Sequence, residues 1–178
     1  MFSLGAPWGI AIAGSTLYAA SASSNATTGG LYSCPLGGCA PPAKVVSSPF
    51  GQNVAVDADH VYLTVHSESG RVIRCGRESC AAPTVLADAR RMPDGIAVDG
   101  ENVYWAEWGW AAGEYVPGAG QISSCPIAGC PATGPIVLAS GQDQPRHLAV
   151  DAKAIYWTNY ANGGASTAPN GSVMRLAK

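Results

Sequence analysis

The residues best equipped for chemistry lie beside short apolar runs. Asp94 precedes one run, and Arg146 and His147 precede another. A carboxylate, a guanidinium and an imidazole gathered at one place can bind a polar ligand. Together with Glu107, Asp94 and His147 are candidates for acid/base or metal-binding roles. The competing reading is an ordinary solvated rim. A second group is aromatic. Trp108, Trp110 and Tyr115 fall in the loop EWGWAAGEYVPGAG, Tyr160 opens another loop, and Trp8 stands near the start of the chain. Large rings in Gly-rich segments suit a sugar ring or a protein partner. They can equally fold back over the scaffold.

All six cysteines obey one spacing: Cys34-x4-Cys39, Cys75-x4-Cys80 and Cys125-x4-Cys130. Six cysteines allow 15 pairings. The familiar signatures of a nucleophile elbow, a zinc-protease helix, a phosphate loop and a dinucleotide turn are absent. Formal net charge is −2 and no basic cluster occurs, which excludes the electrostatic footprint of a nucleic-acid binder. No apolar run approaches the length of a membrane-spanning helix. MFSLGAPWG lacks the charged and apolar regions of a signal peptide. Residues 47% apolar and only 12% charged indicate a packed core rather than disorder.

The elements that must position these residues repeat four times. WGIAIAGSTLYAAS, QNVAVDADHVYLTV, DGIAVDGENVYWAE and RHLAVDAKAIYWTN centre on Ile10, Val54, Ile96 and Leu148, at spacings of 44, 42 and 52 residues. A period of this size, built of short strands, marks a propeller or a related array. The third copy contains four strands, A to D: Ile96–Asp99, Val103–Ala106, Gln121–Cys125 and Pro135–Ala139, joined as an antiparallel meander. Strands A and B are apolar on both faces, as strands sandwiched between neighbouring sheets must be. The expected fold is an all-β propeller of four repeats, approximately 5–48, 49–90, 91–142 and 143–178. The fourth copy stops where its strand D should begin. Either Met1–Leu4 supplies that strand and closes the ring, or the four repeats belong to a longer propeller of six or seven blades.

Each cysteine pair straddles a C–D turn, so repeat symmetry pairs the two cysteines within a copy across their hairpin. Zinc would require two pairs to converge, and these sit on different repeats. Disulfides point to the periplasm or the outside of the cell.

The strand pair IAVD…VYW, with Ile96–Asp99 and Tyr104–Trp105, and with Leu148–Asp151 and Tyr156–Trp157–Thr158, resembles the YWTD and NHL type of β-propeller repeat. It looks most like a secreted bacterial variant. The resemblance implies a protein, peptide or glycan ligand on the ring face, and for a minority of related propellers a lyase or lactonase activity. It departs from the pattern at Ala13, where the other copies have Asp57, Asp99 and Asp151.

Those aspartates fall at A–B turns, where a carboxylate can bond nearby backbone N–H groups. Tyr104, Trp105, Tyr156 and Trp157 read as inter-blade core. In a propeller the B–C and D–A loops share one face, and here variation concentrates in the B–C loops, as binding loops on a rigid scaffold would. Trp8, Gln52, Asp94 and Arg146, with Asn53 and His147 beside them, should ring the channel mouth on that face. The expected function is therefore a non-enzymatic extracellular or periplasmic binding or scaffold module. Its expected ligand contacts are Trp8, Asp94, Glu107, Trp108, Trp110, Tyr115, Arg146, His147 and Tyr160. No cofactor or metal is expected, and the chain should be a monomer unless its ring is incomplete. The alternative is a propeller-type lyase or lactonase using His147, Asp94 and Glu107.

Overall fold

The computed structural model describes residues 4–25, 27–77, 80–160 and 171–178. Every regular element among them is a β-strand, and the first three repeats each form a four-stranded antiparallel sheet. Sheet one contains β1 (Pro7–Ala13), β2 (Thr16–Ser21), β3 (Gly30–Pro35) and β4 (Ala43–Ser47). Sheet two contains β5 (Gly51–Val56), β6 (His60–Val65), β7 (Gly70–Gly76) and β8 (Thr84–Arg90). Sheet three contains β9 (Pro93–Val98), β10 (Asn102–Glu107), β13 (Gly120–Pro126) and β14 (Ile136–Gln142). Between its second and third strands lies a small hairpin of β11 (Trp110–Ala111) and β12 (Glu114–Tyr115). Sheet four contains β15 (Pro145–Val150), β16 (Ala154–Asn159) and β17 (Ser172–Ala177).

These sheets are blades of a β-propeller. The inner strands pack in succession, β1 on β5, β5 on β9 and β9 on β15. Three apolar clusters fill the three junctions. Tyr18 and Leu31 meet Val54 and Leu63 at the first, Tyr62 and Val72 meet Ile96 and Trp105 at the second, and Tyr104 and Ile122 meet Ile155 and Trp157 at the third. The close approach of β9 to β15 requires a glycine, because a Cβ at Gly95 would lie 1.8 Å from the Arg146 carbonyl oxygen. Among the described residues β1 and β15 share no packing of comparable extent.

The A–B turns follow the sequence reading. Asp57 Oδ1 accepts the N–H groups of Asp59 at 2.9 Å and His60 at 2.7 Å, while Oδ2 accepts Tyr62 Oη–H at 2.6 Å. Asp99 repeats this with Glu101, Asn102 and Tyr104, and Asp151 with Lys153, Ala154 and Tyr156. Burial alone would raise the Asp57 carboxyl, but these hydrogen bonds together hold it below the usual carboxylate value. In the first blade Ala13 cannot make such bonds, and Gly14 turns the chain with φ +58° instead.

The three C-x4-C pairs are disulfides, Cys34–Cys39, Cys75–Cys80 and Cys125–Cys130, with Cα atoms 5.6, 5.0 and 4.8 Å apart. One expectation changes. The loop after β10 is an ordered hairpin rather than an open Gly-rich stretch. Ala112 and Gly113 at its tip both have positive φ, 54° and 82°, the pattern of a tight turn whose twist matches its strands. The expected closing strand Met1–Leu4 falls mostly outside the described residues. Met1–Ser3 lie outside these, Leu4 is not in a strand, and Ala6 bonds Ser21 and Ala22 of its own blade. Among the described residues β17 pairs only with β16.

Candidate functional site

The first site residues come from the start of each inner strand. The β1–β2 register slips between Pro7 and Ile10, and β5 and β15 slip at the same place, Gly51/Val54 and Pro145/Leu148. β9 slips against Trp105/Glu107. A bulge of this kind bends a strand and re-aims its side chains. Here it sets Trp8, Gln52, Asp94 and Arg146 at equivalent positions near the start of the four inner strands. The residue before three of these strands is left-handed although none is glycine: Phe50 at φ 58°, Met92 at 50° and Gln144 at 48°. Each offers its carbonyl to a residue just past strand B, namely His66 N–H at 2.8 Å, Trp108 N–H at 3.4 Å and Tyr160 N–H at 3.1 Å. Ala22 N–H bonds the Ala6 carbonyl in the same way.

His66, Trp108 and Tyr160 are therefore equivalent positions on successive blades, and they build one continuous cluster. The His66 ring meets the Trp108 ring edge-on, with centroids 4.4 Å apart. The Arg146 guanidinium lies 4.1 Å from the Trp108 ring centroid and 4.4 Å from that of Tyr160. Its Nε is buried and has no hydrogen-bond partner among the described residues. Asp94, 3% exposed, accepts the Trp108 indole N–H at 2.7 Å and the Asn53 amide at 2.6 Å. His66 Nδ1 faces the Pro93 carbonyl at 3.2 Å. Burial pushes the His66 imidazole below its ordinary value, against the opposing pull of the Asp94 charge. The Arg146 charge acts in the same direction as burial, favouring the neutral ring.

The remaining sequence candidates divide. Trp8 is exposed at the mouth of the first blade. Trp110 donates its indole N–H to Glu68 at 2.9 Å, and Tyr115 donates its hydroxyl to Asp143 at 2.9 Å. These two bonds tether the hairpin to the loops on either side of it. Burial and the Asp143 carboxylate push the Tyr115 hydroxyl up to about 12. Glu107 is not at the mouth cluster. It is the last residue of β10, and its buried Oε1 accepts Trp105 Nε1 at 2.9 Å, Gln121 Nε2 at 3.1 Å and Ser123 Oγ at 3.1 Å. Arg90 adds an ion pair at 3.8 Å. His147 is exposed, and its backbone N–H bonds Thr158 Oγ1 at 3.3 Å. No hydrogen bond or ion pair links His147, Asp94 and Glu107 among the described residues.

His66 is the member that sequence reasoning left out of the site. A signal was present, because His66, Trp108 and Tyr160 each follow the strand-B tyrosine of their repeat by four residues. Among the described residues no group of three or more His, Cys, Asp or Glu side chains is placed to hold a metal.

No family model matches the chain, and no curated protein is similar to it. Solved structures are. A chain of a nidogen/laminin complex matches with a TM-score of 0.66 at 18% identity, over 94% of this chain and 64% of that one. The present chain thus spans less than two thirds of that relative's length. The computationally designed Ika8 protein matches with a TM-score of 0.55 at 9% identity, over 86% of this chain and 42% of its own. The designed Ika4 protein matches with a TM-score of 0.54 at 11% identity, over 99% and 96%. At such identities the likeness establishes the propeller fold alone.

Proposed function

We propose that the chain is a non-enzymatic binding module of YWTD type, working outside the cytoplasm, with its ligand on the face that carries Asp94, Trp108, Arg146 and Tyr160. The observation that carries this reading is Arg146. Its guanidinium is held between two aromatic faces, and its buried Nε lacks an acceptor among the described residues. Stacking fixes the plane of the guanidinium while leaving its edge available, and that edge matches a carboxylate. The ligand is therefore a protein or glycan that presents an acidic group to the mouth, with Trp8 and Tyr160 adding apolar contact. The likeness to a chain of a nidogen/laminin complex supports a protein-binding role, and the three disulfides support an oxidising compartment.

The lyase or lactonase alternative gains nothing from the position of His147, which faces solvent apart from Asp94 and Glu107. A direct test is binding to arrays of acidic peptides and uronic-acid glycans, comparing the wild-type chain with Arg146→Gln. Retention should fall at least tenfold in the variant and weaken with salt. Equal retention by the two proteins would remove the reading.

A further inference from the structure

The three junctions between blades place their contacts at equivalent positions. On the receiving side, Val54 and Ile96 of the inner strands are each 7% exposed. The residue just after strand C then reaches back to the preceding blade. The Arg77 carbonyl accepts Tyr18 Oη–H at 3.2 Å, the Ile127 carbonyl accepts the Arg74 guanidinium, and Lys178 Nζ donates to Asp99 at 2.6 Å. On the giving side at the second junction, Tyr62 and Arg74 are register partners, Asp57 holds the Tyr62 hydroxyl, and Val72 is fully buried.

The two outermost faces carry both halves of this arrangement, each without its counterpart. In the first blade the receiving positions are Ile10, Ile12 and Leu36, which are 68%, 57% and 55% exposed. In the fourth blade the giving positions are Tyr156 and Arg175, again register partners, with Asp151 holding the Tyr156 hydroxyl. Val173 occupies the place of Val72 and is 79% exposed. One end of the molecule thus has the form that the other end receives.

We infer that two copies of this chain join head to tail, the fourth blade of each seated against the first blade of the other, to close one ring of eight blades. A contact between two different faces of the same chain is heterologous, and it closes when the rotation per copy completes a circle. Eight blades lie within the range of known propellers. In the joined ring Arg175 would donate to the Leu36 carbonyl, as Arg74 does to that of Ile127, and Val173 would be covered as Val72 is.

Sedimentation of the oxidised chain over a dilution series tests this. The expected mass is twice the single-chain 18.1 kDa. Ile10→Asp and Val173→Asp each place a charge at an exposed position, so each should retain the wild-type circular dichroism spectrum and sediment as a single chain. An equimolar mixture of the two variants leaves one junction intact and gathers both charges in the other, so it should regain dimer mass as an open pair joined through the intact fourth blade of one and the intact first blade of the other. A single-chain mass for the wild type at every concentration would overturn the inference, and would favour a tighter ring completed by further blades. A ladder of higher assemblies, a dimer that survives in both variants, or a mixture that stays monomeric would overturn it equally.

Discussion

The Trp108 indole N–H ends on the buried Asp94 carboxylate at 2.7 Å. That bond sets the plane of the ring on which Arg146 rests, so a residue from one inner strand orients a cation from the next. Asp94→Ala would leave two donors, the indole and the Asn53 amide, without their acceptor in a buried place. The expected cost is about 1–3 kcal/mol in denaturant unfolding, with altered tryptophan fluorescence and weaker ligand retention. An unchanged unfolding midpoint would show that the bond does not order the mouth.

His66 provides a pH dependence. Its folded-state pKa lies below the ordinary 6.5, so between those two values the unfolded chain binds more protons than the folded one. Stability should therefore be complete above about pH 6.5 and decline as the pH falls toward the folded value. His66→Gln should flatten that limb in thermal melts taken at stepped pH. A separate loss is expected as the pH falls below the carboxylate value of 3.8, where the carboxyls of the unfolded chain take up protons before the depressed Asp57 and Asp99 of the folded chain do. Should the variant retain the full wild-type slope near pH 6, another group is responsible.

The A–B aspartates should not be equivalent. Asp57→Ala removes two turn bonds and the acceptor of Tyr62, whose side chain is fully buried between blades. A loss of about 1–3 kcal/mol is expected. Asp151 makes the same bonds on a face left uncovered in the single chain, so at concentrations where the chain sediments as one copy Asp151→Ala should cost clearly less in the same denaturation series. Equal losses would mean that the turn bonds, and not the junction, dominate.

Each disulfide closes a very short loop across a hairpin and so removes little freedom from the unfolded chain. Replacing one pair, Cys125 and Cys130, by serine should lower stability by only about 2 kcal/mol. Calorimetry with and without reductant would measure it. Failure to fold on loss of one pair would show that the outer strands depend on their staples far more than loop length implies.

The blade pattern was legible because its causes are local. Alternating apolar residues, an Asp two or three residues ahead of the N–H groups it accepts, and cysteines five apart all act within one hairpin. The mouth was legible only in part. Asp94 and Arg146 stand at recognisable positions before strand A, but the bulge that aims them is a register slip between strands and has no residue signature. Left-handed Phe50 and Met92 run against ordinary backbone preference, and their carbonyl bonds to His66 and Trp108 explain why the conformation recurs. Glu107 read as the first residue of a loop. Its partners Gln121 and Ser123 lie one strand over, and only the β10–β13 register turns it inward.

The repeated bulge has a consequence for how new specificities arise on this scaffold. Every repeat contributes one side chain at the slipped position and one just past its second strand, while the turn aspartates and cysteine staples sit elsewhere. Trp8, Gln52, Asp94 and Arg146, paired with Ala22, His66, Trp108 and Tyr160, therefore form a short alphabet that duplication and point substitution can respell one letter at a time. Most such changes leave the turn bonds and disulfides of the blade intact, so the chemistry of this face can be altered without rebuilding the frame.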